Sequence, residues 1–192
     1  VQVPSLAPFE INRDLSLFFL FCVIITFNLG SEDMNVVFLD FNGVLDTNLN
    51  MDVIDSDNLN RLKRIVDQCN AKVVLTTSNK NNYYRSGVIR GILKYIIDSL
   101  LEAGIDVIGM VPMLDSREDE IHAYLDMHPE VEEFVILDDD YDMPSFRDNL
   151  ILLPSQMIGI EQRGLEDEHV EKAISTLGIK KNGVDENLKK IK

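Results

Sequence analysis

Two runs in this sequence set carboxylates directly after four apolar residues. Val36-Val37-Phe38-Leu39 leads into Asp40-Phe41-Asn42-Gly43, and Phe134-Val135-Ile136-Leu137 leads into Asp138-Asp139-Asp140. A carboxylate so placed can act as a nucleophile or as an oxygen ligand for a hard cation. Like charges packed at the end of a buried run repel unless a cation joins them, and Mg2+ suits a few carboxylates completed by water. A third run, Lys72-Val73-Val74-Leu75, ends in the hydroxyls of Thr76, Thr77 and Ser78. Each signal has a plainer reading: Asp40 as a turn cap, the hydroxyls as groups that satisfy a strand end, the acidic run as a solvated turn. The repetition of the strand-then-Asp arrangement favours chemistry.

The elements that must position these residues alternate. Each apolar run is short and continuous, as in strands buried on both faces of a parallel sheet. Between the first two, Ser56-Asp57 opens an amphipathic helix with Leu59, Leu62, Ile65 and Val66 inward and Asn70 as its C-cap. Asn79 to Gly87 reads as a polar loop, Val88 to Ala103 as a helix stopped by Gly104, and Ile105 to Met110 as a short strand. Ser116-Arg117-Glu118-Asp119 loosely fits a capping box and starts a helix that runs to Met127. Leu150 to Leu153 is a last strand, and a helix from Glu166 to Leu177 ends at Gly178. This order predicts a parallel sheet with right-handed crossovers. Ligands of such sheets sit beyond the carboxyl ends of the strands, so both acidic tips can face one crevice. Gly43 lets the chain turn there and approach a ligand closely. His122, His128 and His169 lack ligand spacing and read as surface or helix-end residues.

The stretch Asp40-Phe41-Asn42-Gly43-Val44-Leu45-Asp46-Thr47 resembles motif I, DxDGxxxT, of the haloacid dehalogenase-like (HAD) superfamily. The resemblance implies a nucleophilic Asp40 that forms an aspartyl-phosphate, with Mg2+ as cofactor. The implied metal ligands are Asp40, the backbone carbonyl of Asn42, and the motif IV pair Asp138 and Asp139. Motif II, which hydrogen-bonds the phosphoryl oxygens, falls on Thr77 with Ser78 as runner-up, and Gly43 lies beside the substrate. Arg117 is the candidate for the cationic motif III; a surface arginine at a helix start is the alternative. The implied fold is α/β: a three-layer α/β/α Rossmann-like HAD fold with a mainly parallel sheet. No segment between motifs I and II is long enough for a large cap domain, so the crevice should be open.

A narrower likeness rests on Arg117-Glu118-Asp119-Glu120-Ile121, Tyr124-Leu125, His128, Val135-Ile136-Leu137-Asp138-Asp139 and Gly164-Leu165. Over roughly Met34 to Gly178 these resemble the small capless HAD domain of Swiss Army Knife RNA repair proteins. In that group Trp-Arg usually comes after motif II; here the positions read Asn79-Lys80. A second departure is Asn42, where the superfamily has its acid/base Asp. An amide hydrogen-bonds but cannot give up a proton and recover it. The expected function is therefore a Mg2+-dependent phosphohydrolase acting on a phosphorylated substrate. The alternatives are a metal- or nucleotide-binding regulatory module without turnover, and a nucleic-acid end phosphatase.

The composition bounds these readings. An apolar fraction of 45% in 192 residues is ample for one core. A net charge of −15 disfavours a broad grip on a phosphate backbone, so nucleic acid is a disfavoured partner, though a metal site could still bind phosphate locally. Cys22 and Cys69 form neither a disulfide framework nor a CxxC site, which suits a reducing, cytoplasmic setting. Residues 1–33 differ from the rest. Leu15 to Phe27 is almost wholly apolar, short for a transmembrane helix and about right for a signal core with poor flanks. Met34 stands directly before the motif I strand, so a signal, an anchor and an over-extended gene model are all readings of 1–33. Membrane attachment or secretion is expected only if 15–27 is retained. Residues 34–178 are the expected domain and 179–192 a polar tail.

Overall fold

The structure, a computed structural model, describes residues 34–47, 52–140, 142–154 and 163–178. The expectations for 1–33 and 179–192 lie outside the described residues. Five strands form one sheet: β1 (Met34–Leu39), β2 (Ala71–Leu75), β3 (Val107–Met110), β4 (Val131–Asp138) and β5 (Leu150–Leu152). Their order is β3-β2-β1-β4-β5, and every neighbouring pair is parallel. The α/β Rossmann-like expectation holds, and the sheet is wholly rather than mainly parallel. Helices α1 (Ser56–Cys69), α2 (Asn81–Ser86), α3 (Gly91–Glu102), α4 (Arg117–Met127) and α5 (Asp167–Leu177) complete the framework. Among the described residues no helix is long and apolar enough to cross a membrane.

Burial on both faces explains the unbroken apolar runs. Val37 and Leu39 of β1 join Val73, Leu75, Val135 and Leu137 in a core closed by residues of α1, α3 and α5. Val36 and Phe38 point the other way, with Val74 and Ile136, into a second core closed by Ile121 and Tyr124 of α4. Phe38 meets Tyr124 and Phe134 edge-on, each at 5.6 Å between centroids. The chain adds β2 and β3 on one side of β1 and then crosses to place β4 on the other. That reversal opens a crevice between the carboxyl ends of β1 and β4.

Several boundaries differ from expectation. The stretch read as a loop over Asn79 to Gly87 contains a 3-10 turn, Ser78–Lys80, followed by α2, closed at Gly87 by a left-handed residue with φ 69°. Helix α3 starts at Gly91 rather than Val88, because Arg90 is extended, with φ −155° and ψ 171°. Strand β4 begins at Val131, three residues early. Helix α1 opens at Ser56, as expected, and Asp55 caps it by accepting from the backbone N–H of Asp57 and Asn58. Asn70 closes that helix in the left-handed region, as expected. His169 is a helix-end residue, as expected, but a buried one: its Nδ1 accepts from the backbone N–H of Glu166 at 3.0 Å and caps α5.

Candidate active site at the β1–β4 crevice

Strand register fixes the acidic tips. Leu39 pairs with Leu137, so Asp40 and Asp138, the next residues, stand at one level, Asp138 as the last residue of β4 and still paired with Leu152 of β5. The Asp40 backbone N–H still donates to the Leu137 carbonyl at 3.0 Å. Beyond it the chain turns sharply, with Val44 N–H and Leu45 N–H both donating to the Phe41 carbonyl. Gly43 supplies the positive φ of 80° that this turn needs, and its N–H donates to Asp46 Oδ1 at 2.6 Å. Buried Asp46 is thus the loop's internal anchor. It also accepts from the Asp52 N–H and from Asn42 Nδ2, each at 3.1 Å. The Asn42 amide reaches Asp52 Oδ1 as well, at 3.3 Å.

The loop is locked from behind by Gly164-Leu165. Leu165 N–H donates to the Val44 carbonyl at 2.9 Å, and Asn58 Nδ2 donates to the Arg163 carbonyl at 3.0 Å. Gly164, at φ 70°, leaves no space for a side chain.

At the tip of β2, Thr76 N–H donates to the Leu39 carbonyl, which sets Thr76 and Thr77 beside Asp40. Both threonines are buried, while Ser78 is exposed. Thr77 Oγ1 accepts from the Asn79 side-chain amide at 3.2 Å and from its backbone N–H at 3.4 Å. Its own hydroxyl hydrogen remains free to donate. Thr76 Oγ1 instead accepts from Arg117 Nη1 at 2.9 Å.

Arg117 ties the tips together from the first turn of α4, whose start is fixed by Ser116 Oγ accepting from the Asp119 N–H. Its Nη1 lies 2.6 Å from Asp138 Oδ2 and 3.4 Å from Asp40 Oδ1. It is therefore not a surface arginine. One oxygen each of Asp40, Asp138 and Asp139 falls within 4.8 Å of the others. Behind Arg117 lies an ion pair that inspection of the sequence did not single out. Lys80 Nζ meets Glu120 Oε2 at 2.9 Å, and both side chains are almost wholly enclosed.

Burial raises the pKa of Asp40 above its ordinary value, opposed chiefly by Arg117. Asp138 is pushed up to about 7 by burial and then by the charge of Asp40, again against Arg117. Asp139 is raised by the same two causes. Burial disfavours the Arg117 charge, but Asp138, Asp40 and Glu120 outweigh it and hold the guanidinium protonated. Burial lowers Lys80, and its hydrogen bond to Glu120 opposes that.

These charges test whether the residues suit a divalent cation. With all groups ionised, four carboxylates (Asp40, Asp138, Asp139 and Glu120) face two cations (Arg117 and Lys80). Two negative charges are left over, on hard oxygen donors, and after burial it is the Asp40 charge that raises Asp138 and Asp139. Such a donor set fits Mg2+. Asp40, Asp138, Asp139 and Arg117 are thus gathered at one crevice. Asn42 and Gly43 follow Asp40 in its loop, with the Asn42 amide turned to Asp46 and Asp52, Thr77 is buried next to Thr76, and Ser78 is exposed.

The sequence-derived candidates omitted Lys80, Glu120 and Asp46, and among the strand-end hydroxyls they preferred Thr77 and Ser78 to Thr76. The signal that could have found Asp46 is its place three residues after a turn glycine.

A family model described as the HAD domain in Swiss Army Knife RNA repair proteins matches residues 36–170. No curated protein and no solved structure is similar enough to count as a match. With the all-parallel sheet and the acidic tips on adjacent strands, that match places the chain in the haloacid dehalogenase-like superfamily, as a member of the family of HAD domains named for those RNA repair proteins.

Proposed function

We propose that the protein is a Mg2+-dependent phosphohydrolase that works through an aspartyl-phosphate on Asp40. The observation that carries this reading is the convergence of Asp40, Asp138 and Asp139 within 4.8 Å, with Arg117 Nη1 between Asp40 and Asp138. The three carboxylates and the Asn42 backbone carbonyl would hold the ion. When bound, Mg2+ supplies positive charge that lets an anionic phosphoryl group approach a carboxylate.

The protein's own groups then divide the work. An Asp40 oxygen attacks phosphorus, and the bond to the leaving oxygen breaks with its electron pair departing on that oxygen. Water later attacks the phosphorus, freeing Asp40 and releasing inorganic phosphate. Thr77 donates its free hydroxyl hydrogen to a phosphoryl oxygen. Arg117 offsets charge gathered between nucleophile and phosphate. Asn42 cannot protonate the departing oxygen, so a substrate with a stable leaving anion, such as an aryl phosphate, is favoured. Hydrolysis of an aryl phosphate with Mg2+ tests the proposal. Wild type should turn over and Asp40→Asn should not; equal rates would refute it.

A second reading has its own support. The Asn42 amide donates to both Asp46 and Asp52, so the place of the acid/base is filled by a fixed, non-titrating group. That suits a module that binds Mg2+ and a phosphorylated ligand without consuming it. Calorimetry with Mg2+ and nucleotides, followed by analysis of the recovered ligand, separates the two.

A further inference from the structure

We propose that the buried Lys80–Glu120 ion pair is a positioning pair: it aims Arg117 at the acidic tips and sets the net charge with which Asp40, Asp138 and Asp139 meet a divalent cation. The inference rests on the reading of those three carboxylates as metal ligands.

Lys80 is 2% exposed and Glu120 is 5% exposed. An ion pair this deep is costly to desolvate, and an apolar pair of similar volume would hold the fold as well. Its geometry suggests why charges are kept. Glu120 is held on two sides: Oε2 accepts from Lys80 Nζ at 2.9 Å, and Oε1 accepts from the Leu114 N–H at 3.3 Å. Thus fixed, Glu120 Oε2 sits 3.7 Å from Arg117 Nε. A guanidinium is a rigid plane, so holding its Nε sets where Nη1 points, and Nη1 faces Asp138, Asp40 and Thr76. Lys80 Nζ also donates to the Thr76 carbonyl at 3.0 Å, which pins the tip of β2 to α4. Neither residue is among the groups that would touch the phosphoryl, so both are positioning residues.

The charges make a prediction that a merely structural pair would not. Without Lys80 the cluster carries an excess of three negative charges; without the Glu120 charge the excess is one. Inside a site of low effective dielectric a unit charge this close is felt strongly by a dication.

The test is calorimetric titration of the full chain with Mg2+ alone, using wild type, Lys80→Met, Glu120→Gln and the double variant. Lys80→Met should tighten Mg2+ binding by roughly tenfold, Glu120→Gln should weaken it by roughly tenfold, and the double variant should return to within about threefold of wild type. With an aryl phosphate at saturating Mg2+, both single variants should lose kcat, because Arg117 is displaced in each. Affinity shifts of one sign in both single variants, or none in either, would overturn the inference while leaving the metal site intact. If wild type binds no Mg2+, the functional reading fails and this inference with it. Should a single variant not fold, as judged by circular dichroism, the double variant still decides: an affinity more than about tenfold from wild type contradicts the charge argument.

Discussion

Asp40 and Asp138 succeed Leu39 and Leu137, which are register partners on adjacent parallel strands, so two carboxyls nearly a hundred residues apart in sequence emerge side by side. Burial raises both, and Arg117 Nη1 stands between them, 2.6 Å from one and 3.4 Å from the other. Their residual repulsion governs how the site responds to pH, to a metal ion and to substitution.

One consequence is a pH-dependent stability. Asp138 is raised from an ordinary 3.8 to about 7, so the folded form holds this proton more tightly than the unfolded chain. Its contribution favours folding below the unfolded value and is lost as pH rises through about 7. The metal-free thermal midpoint should therefore fall between about pH 5 and about pH 8. Mg2+ should raise the midpoint more at the higher pH, because its ligands must be ionised. Thermal unfolding with Mg2+ and with chelator at both pH values measures this; equal Mg2+ shifts would contradict it.

Replacing Asn42 by Asp should restore proton donation. The new carboxyl would sit where the amide now meets Asp46 and Asp52, and those like charges would help it keep a proton for delivery. The rate on alkyl phosphates should rise by about 10²-fold or more, with a much smaller gain on aryl phosphates. Steady-state kinetics on matched alkyl and aryl esters checks the contrast.

Arg117→Lys keeps a charge and loses the planar fork. One ammonium cannot serve Asp138, Asp40, Thr76 and Glu120 in the same geometry. kcat/KM should fall by about tenfold or more while Mg2+ affinity changes little, since the net charge is kept. A parallel collapse of Mg2+ binding would mean that Arg117 shapes the carboxylates rather than the phosphoryl site.

Gly164→Ala should be strongly destabilising. A Cβ there would lie 2.1 Å from Asn58 Nδ2, 2.6 Å from the Val44 carbonyl and 2.9 Å from the Asp46 carbonyl. Two of these are backbone atoms of the motif I loop and cannot step aside. With the strain of φ 70° added, the loss should exceed about 2 kcal/mol in denaturant unfolding. Gly91→Ala is the control: a similar positive φ of 61° with nothing within 4 Å should cost only about 1 kcal/mol.

The strands and acidic tips were legible in the sequence because burial on both faces forces unbroken apolar runs, and the polar residue ending each run is conspicuous. Arg117 and Thr77 were candidates through the resemblance to motifs III and II; a helix-start arginine and a strand-end hydroxyl are by themselves ordinary surface and turn residues. Lys80 was not. It sits in Ser78-Asn79-Lys80-Asn81-Asn82, a stretch whose polarity reads as solvent-exposed loop. Its burial depends on Glu120, forty residues on, which itself stands among charged neighbours on α4. A buried ion pair leaves no periodic trace, since each partner alone resembles a surface residue. The same reasoning covers His169, whose burial comes from capping α5 rather than from any apolar pattern.

The central claim, one divalent ion shared by Asp40, Asp138 and Asp139, is tested most directly by anomalous diffraction from crystals grown with Mn2+ in place of Mg2+. One peak within about 2.4 Å of an oxygen of each carboxylate is the predicted result. No peak at the β1–β4 crevice, or a peak on other residues only, would contradict it.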